Sequence, residues 1–427
     1  MEQAGASPDL EDYRLYRQMY DQLERDWKQW GLDRVFASPS EMVTAGQALQ
    51  SEQRRLALNA IRSNPHLVGY SLTGLSDQAV EGEGLMTTFR ELKPGIVDAM
   101  RDGFAPLKWC LFVEPGHTYR GATVRVEAVL ANEDVLRAGS YPVRLRVVGP
   151  AGIAFEKIAE LQIGAATGGG EPPLAIPAFD ERVKLDGPAG RYTVEVAVDR
   201  GAAASAGETV ITEDVLSLPK VNAAVRWAGE AEAIGRLLTN HGVQLSRLDS
   251  GSAGDPEVLL LLNDTGDTWM PRVKAGSVAI LLDPTKLPEP LKGKIENSAP
   301  YFWGRDDIVK PHPILSGLPS ARLMDLHYYG DLIARTSVTG FDAATENVIP
   351  SFAIGRPGGQ GYWAGSNLLV YRLGEGRVIV STLRIAQHVE RNPAADRLLL
   401  NLVEFAYRNL GKSGSTSRIA DPWRSPL

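Results

Sequence analysis

The hydrophobic period of this chain changes twice along its length, and no single layer of structure satisfies all three regimes. Near the amino terminus Tyr13, Tyr16, Tyr20, Leu23, Trp27 and Trp30 recur at steps of three and four residues, the spacing of one helix face. From Tyr119 the period becomes two: Thr123 to Val129, Val143 to Val147 and Tyr192 to Val198 alternate apolar and polar residues, as strands with one wet face do. Further on, the apolar runs are continuous, Glu257 to Leu262 and Ser277 to Leu282, the form taken by strands buried on both faces of a parallel sheet. A length of 427 residues at about 150 per domain agrees with three regimes. The expected boundaries are 1–112, 113–218 and 219–411, and a polar, aperiodic tail over 412–427 is expected to be disordered.

Composition narrows the function classes. An apolar content of 44% with 23% charged residues is that of a soluble globular protein. A net charge of -7 without a basic stripe disfavours phosphate backbones, so no nucleic-acid partner is expected. No apolar run reaches the roughly 18 residues that a membrane span needs. The single cysteine, Cys110, excludes an intrachain disulfide and a cysteine-based zinc site, and no metal or other cofactor is expected. The start, Met1-Glu2-Gln3-Ala4-Gly5, has neither the basic nor the apolar region of a signal peptide.

Punctuation in the first segment is sharp. Ser7-Pro8-Asp9 opens a helix that Gly31 closes, and Ser38 with Glu41 has capping-box spacing ahead of a second helix that Asn64-Pro65 must stop. Leu67 to Leu72 then reads as a buried strand, and the polar, Gly-rich loop from Thr73 to Gly84 carries Asp77, Gln78, Glu81 and Glu83. Such a loop at the carboxyl end of a strand is where parallel α/β layers place chemistry. Its side chains read either as solvated loop charges or as contacts to a ligand.

Asn59 to Pro65, Gly69-Tyr70-Ser71-Leu72-Thr73-Gly74, Gly82-Glu83-Gly84 and Trp109-Cys110-Leu111-Phe112 resemble the last turn of the barrel in bacterial glycoside hydrolases of family 2, which include β-galactosidases and β-glucuronidases. The resemblance implies a partial (β/α)8-barrel remnant over 1–112. It also implies retaining cleavage of β-linked sugars by two glutamates placed ahead of the helix carrying Tyr13 to Trp30, upstream of Met1. No residue of the chain inherits a catalytic role. A barrel needs about 250 residues, so the chain is expected to be a carboxyl-terminal portion that is inactive by itself. Its alternative is a non-catalytic carbohydrate-binding or accessory protein. Thr73, Asp77, Gln78 and Glu83 are the candidate substrate contacts, and Glu81 with Glu83 is too poorly walled to form a retaining pair.

The middle segment, with turns at Arg137 to Ser140, Gly149 to Gly152 and Asp186 to Gly190, is expected to be an immunoglobulin-like β-sandwich; Asn132-Glu133-Asp134 reads as a turn. The third segment alternates strand and helix and is expected to be a flavodoxin-like α/β domain. Its His312 to Pro319 string is similar to one in class I glutamine-amidotransferase-like domains, and His388-Val389-Glu390 has the form of that family's base and its orienting carboxylate. Without a cysteine or a Gly-x-Ser-x-Gly elbow the pair has nothing to activate. A degenerate domain serving packing, homo-oligomer formation or the shaping of a cleft is expected. Tyr301-Phe302-Trp303 and Gly361-Tyr362-Trp363 read as Gly-flanked aromatic loops, suited to a sugar face or an interface, and Asp325 to Asp331 as a local loop network. The expected partner is a carbohydrate.

Overall fold

The computed structural model describes residues 5, 7–67, 69–72, 74–78, 82–164, 174–199, 204–229, 231–249, 254–263, 268–298, 305–354 and 361–411. Among them the protein is mixed α/β, with large β-sheets, eight α-helices and no closed barrel. The tail 412–427 and the aromatics Tyr301, Phe302 and Trp303 lie outside the described residues.

The amino-terminal segment is helical. Helix α1, Glu11–Trp30, ends on Gly31 at φ 62°, where the left-handed conformation lets the Gly31 amide reach the carbonyls of Lys28 and Trp27. Helix α2, Pro39–Arg62, starts at Ser38, whose hydroxyl accepts the Glu41 amide at 3.2 Å; the Glu41 carboxylate reaches back to the Ala37 amide at 2.6 Å, one residue beyond the N-cap amide of the standard box. Only the second half of the aromatic stripe is core. Leu23, Trp27 and Trp30 are buried, whereas Tyr20 is 47% exposed.

The strand expected over 67–72 is absent, since residues 67 and 69–72 are coil and Leu67 and Tyr70 are exposed. A short apolar run becomes a strand only beside a free sheet edge, and the following apolar segment is committed elsewhere. Helix α3, Ile96–Gly103, leads into β1, Leu107–Glu114, which pairs antiparallel with a strand of the sandwich and so crosses the boundary expected at residue 112.

The sandwich has two sheets. One contains β1, β3 (Thr123–Asn132) and β6 (Ala175–Lys184); the other contains, in order, β2 (His117–Tyr119), β8 (Ser205–Glu213), β7 (Gly190–Val198), β4 (Gly139–Gly149) and β5 (Gly152–Ile163). Alternation does what it promised: Val124, Val126, Ala128 and Leu130 face Val143, Leu145, Val147, Val194 and Val196 in one dry core. The turn read at Asn132 is made by its side chain, which bonds the Leu136 amide and carbonyl at 2.8 Å each.

In the third segment β9 (Ala224–Ala228), β10 (Gln244–Arg247), β11 (Val258–Leu262), β12 (Val278–Leu282) and β19 (Gly376–Ser381) are parallel, in the order β10-β9-β11-β12-β19. That is one of the two common doubly wound orders. Helices α4 (Glu232–Asn240), α5 (Met270–Lys274) and α8 (Pro393–Arg408), with the short α6 (Leu326–Tyr329) and α7 (Ile385–His388), complete the layers. The sheet then continues antiparallel through β18 (Tyr362–Leu373), β17 (Glu346–Ile354), β14 (Arg305–Val309) and β15 (Arg322–Leu323), with β16 (Thr336–Thr339) beside β18 and β13 (Lys294–Asn297) beside β16. This half holds a buried polar network. Arg305 donates to the Asp307 carboxylate at 2.8 Å, Asp307 accepts Ser351 and Asn367, and Ser337 bonds both Asn367 and Ser298.

Helix α1 covers that half. Trp30 lies 5.7 Å from Phe341 and 5.2 Å from Phe352 between ring centroids, Tyr362 donates to Asp26 at 2.7 Å, and the Lys310 ammonium caps the Trp30 carbonyl at 2.5 Å. Tyr362 and Trp363, expected in an aromatic loop, are instead strand residues. Trp363 is 5% exposed, with its indole N–H on Glu296 at 3.2 Å, so neither presents a free ring.

Candidate functional site: a cleft where three layers meet

A cleft of about 640 Å³ opens where α2, the sandwich and the α/β domain converge. Its floor is the outer face of β1 and β3. The inner positions of β1, Trp109 and Leu111, are sandwich core, which turns Phe112 and Glu114 outward beside Arg125 and Glu127. One wall is the α2 stripe Leu56, Ala60 and Ser63, at helical spacing; the other is the α6 segment, with His327, Gly330 and Asp331, backed by Asn392. Apolar surface and hydrogen-bonding groups therefore alternate around one concavity, the composition of small-molecule sites.

The polar groups are held in place. Glu208 of β8 is 8% exposed and takes Arg55 of α2 at 2.5 Å, a bond that also ties helix to sandwich. Arg125 forks onto Asp180 at 2.8 and 2.9 Å and reaches Glu127 at 3.0 Å. Asp331 accepts the Asn392 amide at 3.1 Å and stands 4.0 Å from His388 Nδ1. Burial, opposed by Asp331, lowers the His388 imidazole below its ordinary value, which favours the neutral ring. Glu390, the other half of the H-x-E string, points elsewhere and pairs with Arg236 at 2.6 Å.

A retaining pair needs one carboxyl kept protonated by an apolar wall and a second about 5 to 5.5 Å away. In this cleft Glu208 pairs with Arg55 from behind the lining, Glu127 with Arg125, and Asp331 accepts the Asn392 amide. Among the described residues no three His, Cys, Asp or Glu side chains converge to hold a metal ion. Cys110 is buried, and burial pushes its thiol up to about 11.

Asp77, Gln78 and Glu83 are not among the residues that line the cleft. Thr73 and Glu81 fall outside the described residues. Asp77 is bound to the ammonium of Lys93 at 2.9 Å and to the Gly84 amide at 2.8 Å. Lys93 is 4% exposed and also holds the Gly82 carbonyl at 2.6 Å, so Asp77 fastens the loop over a buried cation. Glu83 is half-buried, with its carbonyl on Arg54, and Gln78 is exposed. Glu127 and Glu208 escaped the sequence reading because each looks like the wet face of an ordinary strand; only the docking of α2 gives them a shared space.

No family model matches the chain, and no curated protein does. Solved structures that overlap parts of it include a β-glucuronidase from glycoside hydrolase family 2, at 12% identity and a TM-score of 0.20, covering 42% of this chain and 26% of that one. A cycloisomaltooligosaccharide glucanotransferase from Paenibacillus sp. aligns at 12% identity and a TM-score of 0.20, over 44% of this chain and 28% of that one. A cytoplasmic protein from Salmonella typhimurium aligns at 10% identity and a TM-score of 0.28, over 50% of this chain and 95% of that one. The chain thus spans less than a third of the length of these two carbohydrate-active enzymes. Overlaps at these scores define neither its family nor its activity.

Proposed function

We propose that this chain is a non-catalytic, carbohydrate-contacting portion of a glycoside-hydrolase-like protein, and that a β-linked glycan occupies the cleft between α2, the sandwich and the α/β domain. The cleft itself carries this reading: a space of about 640 Å³ is ample for a sugar unit. It offers the half-buried Phe112 to a ring face, and carboxylates, a guanidinium and an amide to hydroxyls. The resemblance of Asn59 to Pro65, Gly69 to Gly74, Gly82 to Gly84 and Trp109 to Phe112 to family 2 hydrolases supports the choice of sugar. Asp77, Gln78 and Glu83, with Thr73, form a second, peripheral contact in this reading.

Calorimetric titration of β-linked gluco-, galacto- and glucurono-oligosaccharides into the full chain tests it. Binding is expected, weakened about tenfold or more by Asp331→Asn, in line with about 1.5–3 kcal/mol for a charge-assisted hydrogen bond. No chromophore release from nitrophenyl β-glycosides is expected. Turnover abolished by Glu83→Gln would overturn the non-catalytic assignment, and titrations flat for every sugar would overturn the binding assignment.

A further inference from the structure

His117 stands at the seam between the sandwich and the α/β domain, 2% exposed and part of the cleft lining. Its Nδ1 lies 3.2 Å from the carbonyl oxygen of Tyr328, and its Nε2 lies 3.1 Å from Glu213 Oε1. Both partners are acceptors only: a peptide carbonyl has no proton, and the Glu213 oxygen already accepts the Tyr328 hydroxyl at 2.8 Å. A neutral imidazole donates from one nitrogen alone, so two such contacts call for a ring protonated at both. His312 makes the contrast. Its Nδ1 accepts the Ile314 amide at 3.2 Å while Nε2 faces Glu346 at 3.2 Å, an arrangement that one proton satisfies.

We propose that His117 is a doubly protonated latch that fixes the α6 wall of the cleft to the sandwich. The two ring protons divide the work: one satisfies the Tyr328 carbonyl, and the other joins the Tyr328 hydroxyl on Glu213, so that both sides of the seam are held by donors. The surroundings suit a charged ring. From β8 it faces Glu213, with Asp214 next in sequence; from the α6 segment it faces Tyr328, whose ring centroid is 4.2 Å away, with His327 and Asp331 nearby along the chain. From α8, Arg397 approaches Glu213 at 3.7 Å, and Asp396 is held by the Tyr119 hydroxyl of β2 at 2.6 Å, beside Arg120. Burial alone would raise the Glu213 carboxyl, yet the bonds from His117 and Tyr328, with Arg397 nearby, hold it below its ordinary value, as a partner of a cation should be. Seam and cleft are coupled by chain continuity, because the carbonyl that His117 holds lies between two cleft-wall residues, His327 and Gly330.

Long-range proton–nitrogen correlation spectra of the labelled full chain read the protonation of each ring nitrogen, and melting temperatures read the seam. Both His117 nitrogens are expected to carry protons in the folded chain, and His117→Gln, which lacks the two opposed ring donors, is expected to melt several degrees lower. A singly protonated His117 would overturn the proposal, and so would a His117→Gln variant that melts with the native chain. The spectra of the native chain decide the matter even where the variant does not fold.

Discussion

Asp306 and Asp307 show how differently two adjacent carboxylates can be treated. Asp307 is surrounded by Arg305, Ser351 and Asn367 donors, whereas the Asp306 carboxylate is pressed against α2 at Gly46. Burial, followed by the charge of Asp307, pushes Asp306 up to about 7. The sign for stability is set by that rise. Below the unfolded value near 3.8 both states are protonated and the site costs nothing. Between there and about 7 the unfolded chain ionises first, so stability falls as pH rises. Asp306→Asn is therefore expected to stabilise the protein by about 1–3 kcal/mol at pH 8 and by little at pH 4, as denaturant titrations at the two pH values would read. At this scale the sequence says little. Asp77 is visible as a polar loop residue, but its partner Lys93 and the enclosure of both are tertiary facts, and nothing in the alternation of β8 marks Glu208 as the carboxylate that meets α2.

Elements were legible where their signal is local. The Ser38 cap, the Gly31 stop, the alternating sandwich strands and the apolar runs of β11 and β12 all stand where period and punctuation put them. The 67–72 strand failed because six apolar-leaning residues specify extended backbone without specifying an edge to pair with. In the antiparallel half of the third sheet β14 and β17 were hidden for the opposite reason: β14 begins Arg305-Asp306-Asp307 and β17 contains Ser351, polar residues that a buried network satisfies. The turn between β18 and β19 provides a test. A Cβ on Gly376 would collide with the backbone carbonyls of Ser277 and Val273, and backbone yields little. Gly376→Ala is expected to destabilise the chain by about 1–3 kcal/mol, as a fall in the denaturation midpoint; an unchanged midpoint would mean that α5 and β19 separate freely.

At the scale of the molecule, the helical segment is the part that joins the others. Trp30 and Asp26 bind the α/β domain, while Arg55 binds Glu208, and Arg62 binds Glu133 at 2.8 Å together with the carbonyls of Gly103 and Ala105. Removing residues 1–36 would uncover Ile308, Leu323 and Phe352, an apolar face of the kind that drives association. The shortened chain is expected to form soluble oligomers or aggregate in light scattering, and a monomer with native melting behaviour would show that the helix is dispensable. The three-layer meeting also creates the cleft, which is why composition and period could indicate three units but not the space between them. Hydrogen–deuterium exchange of the full chain with and without a saturating β-linked oligosaccharide tests the central claim most directly. Protection concentrated in Leu111 to His117, around Glu208 and in Leu326 to Asp331 is the expected result; protection confined to other segments would contradict the account.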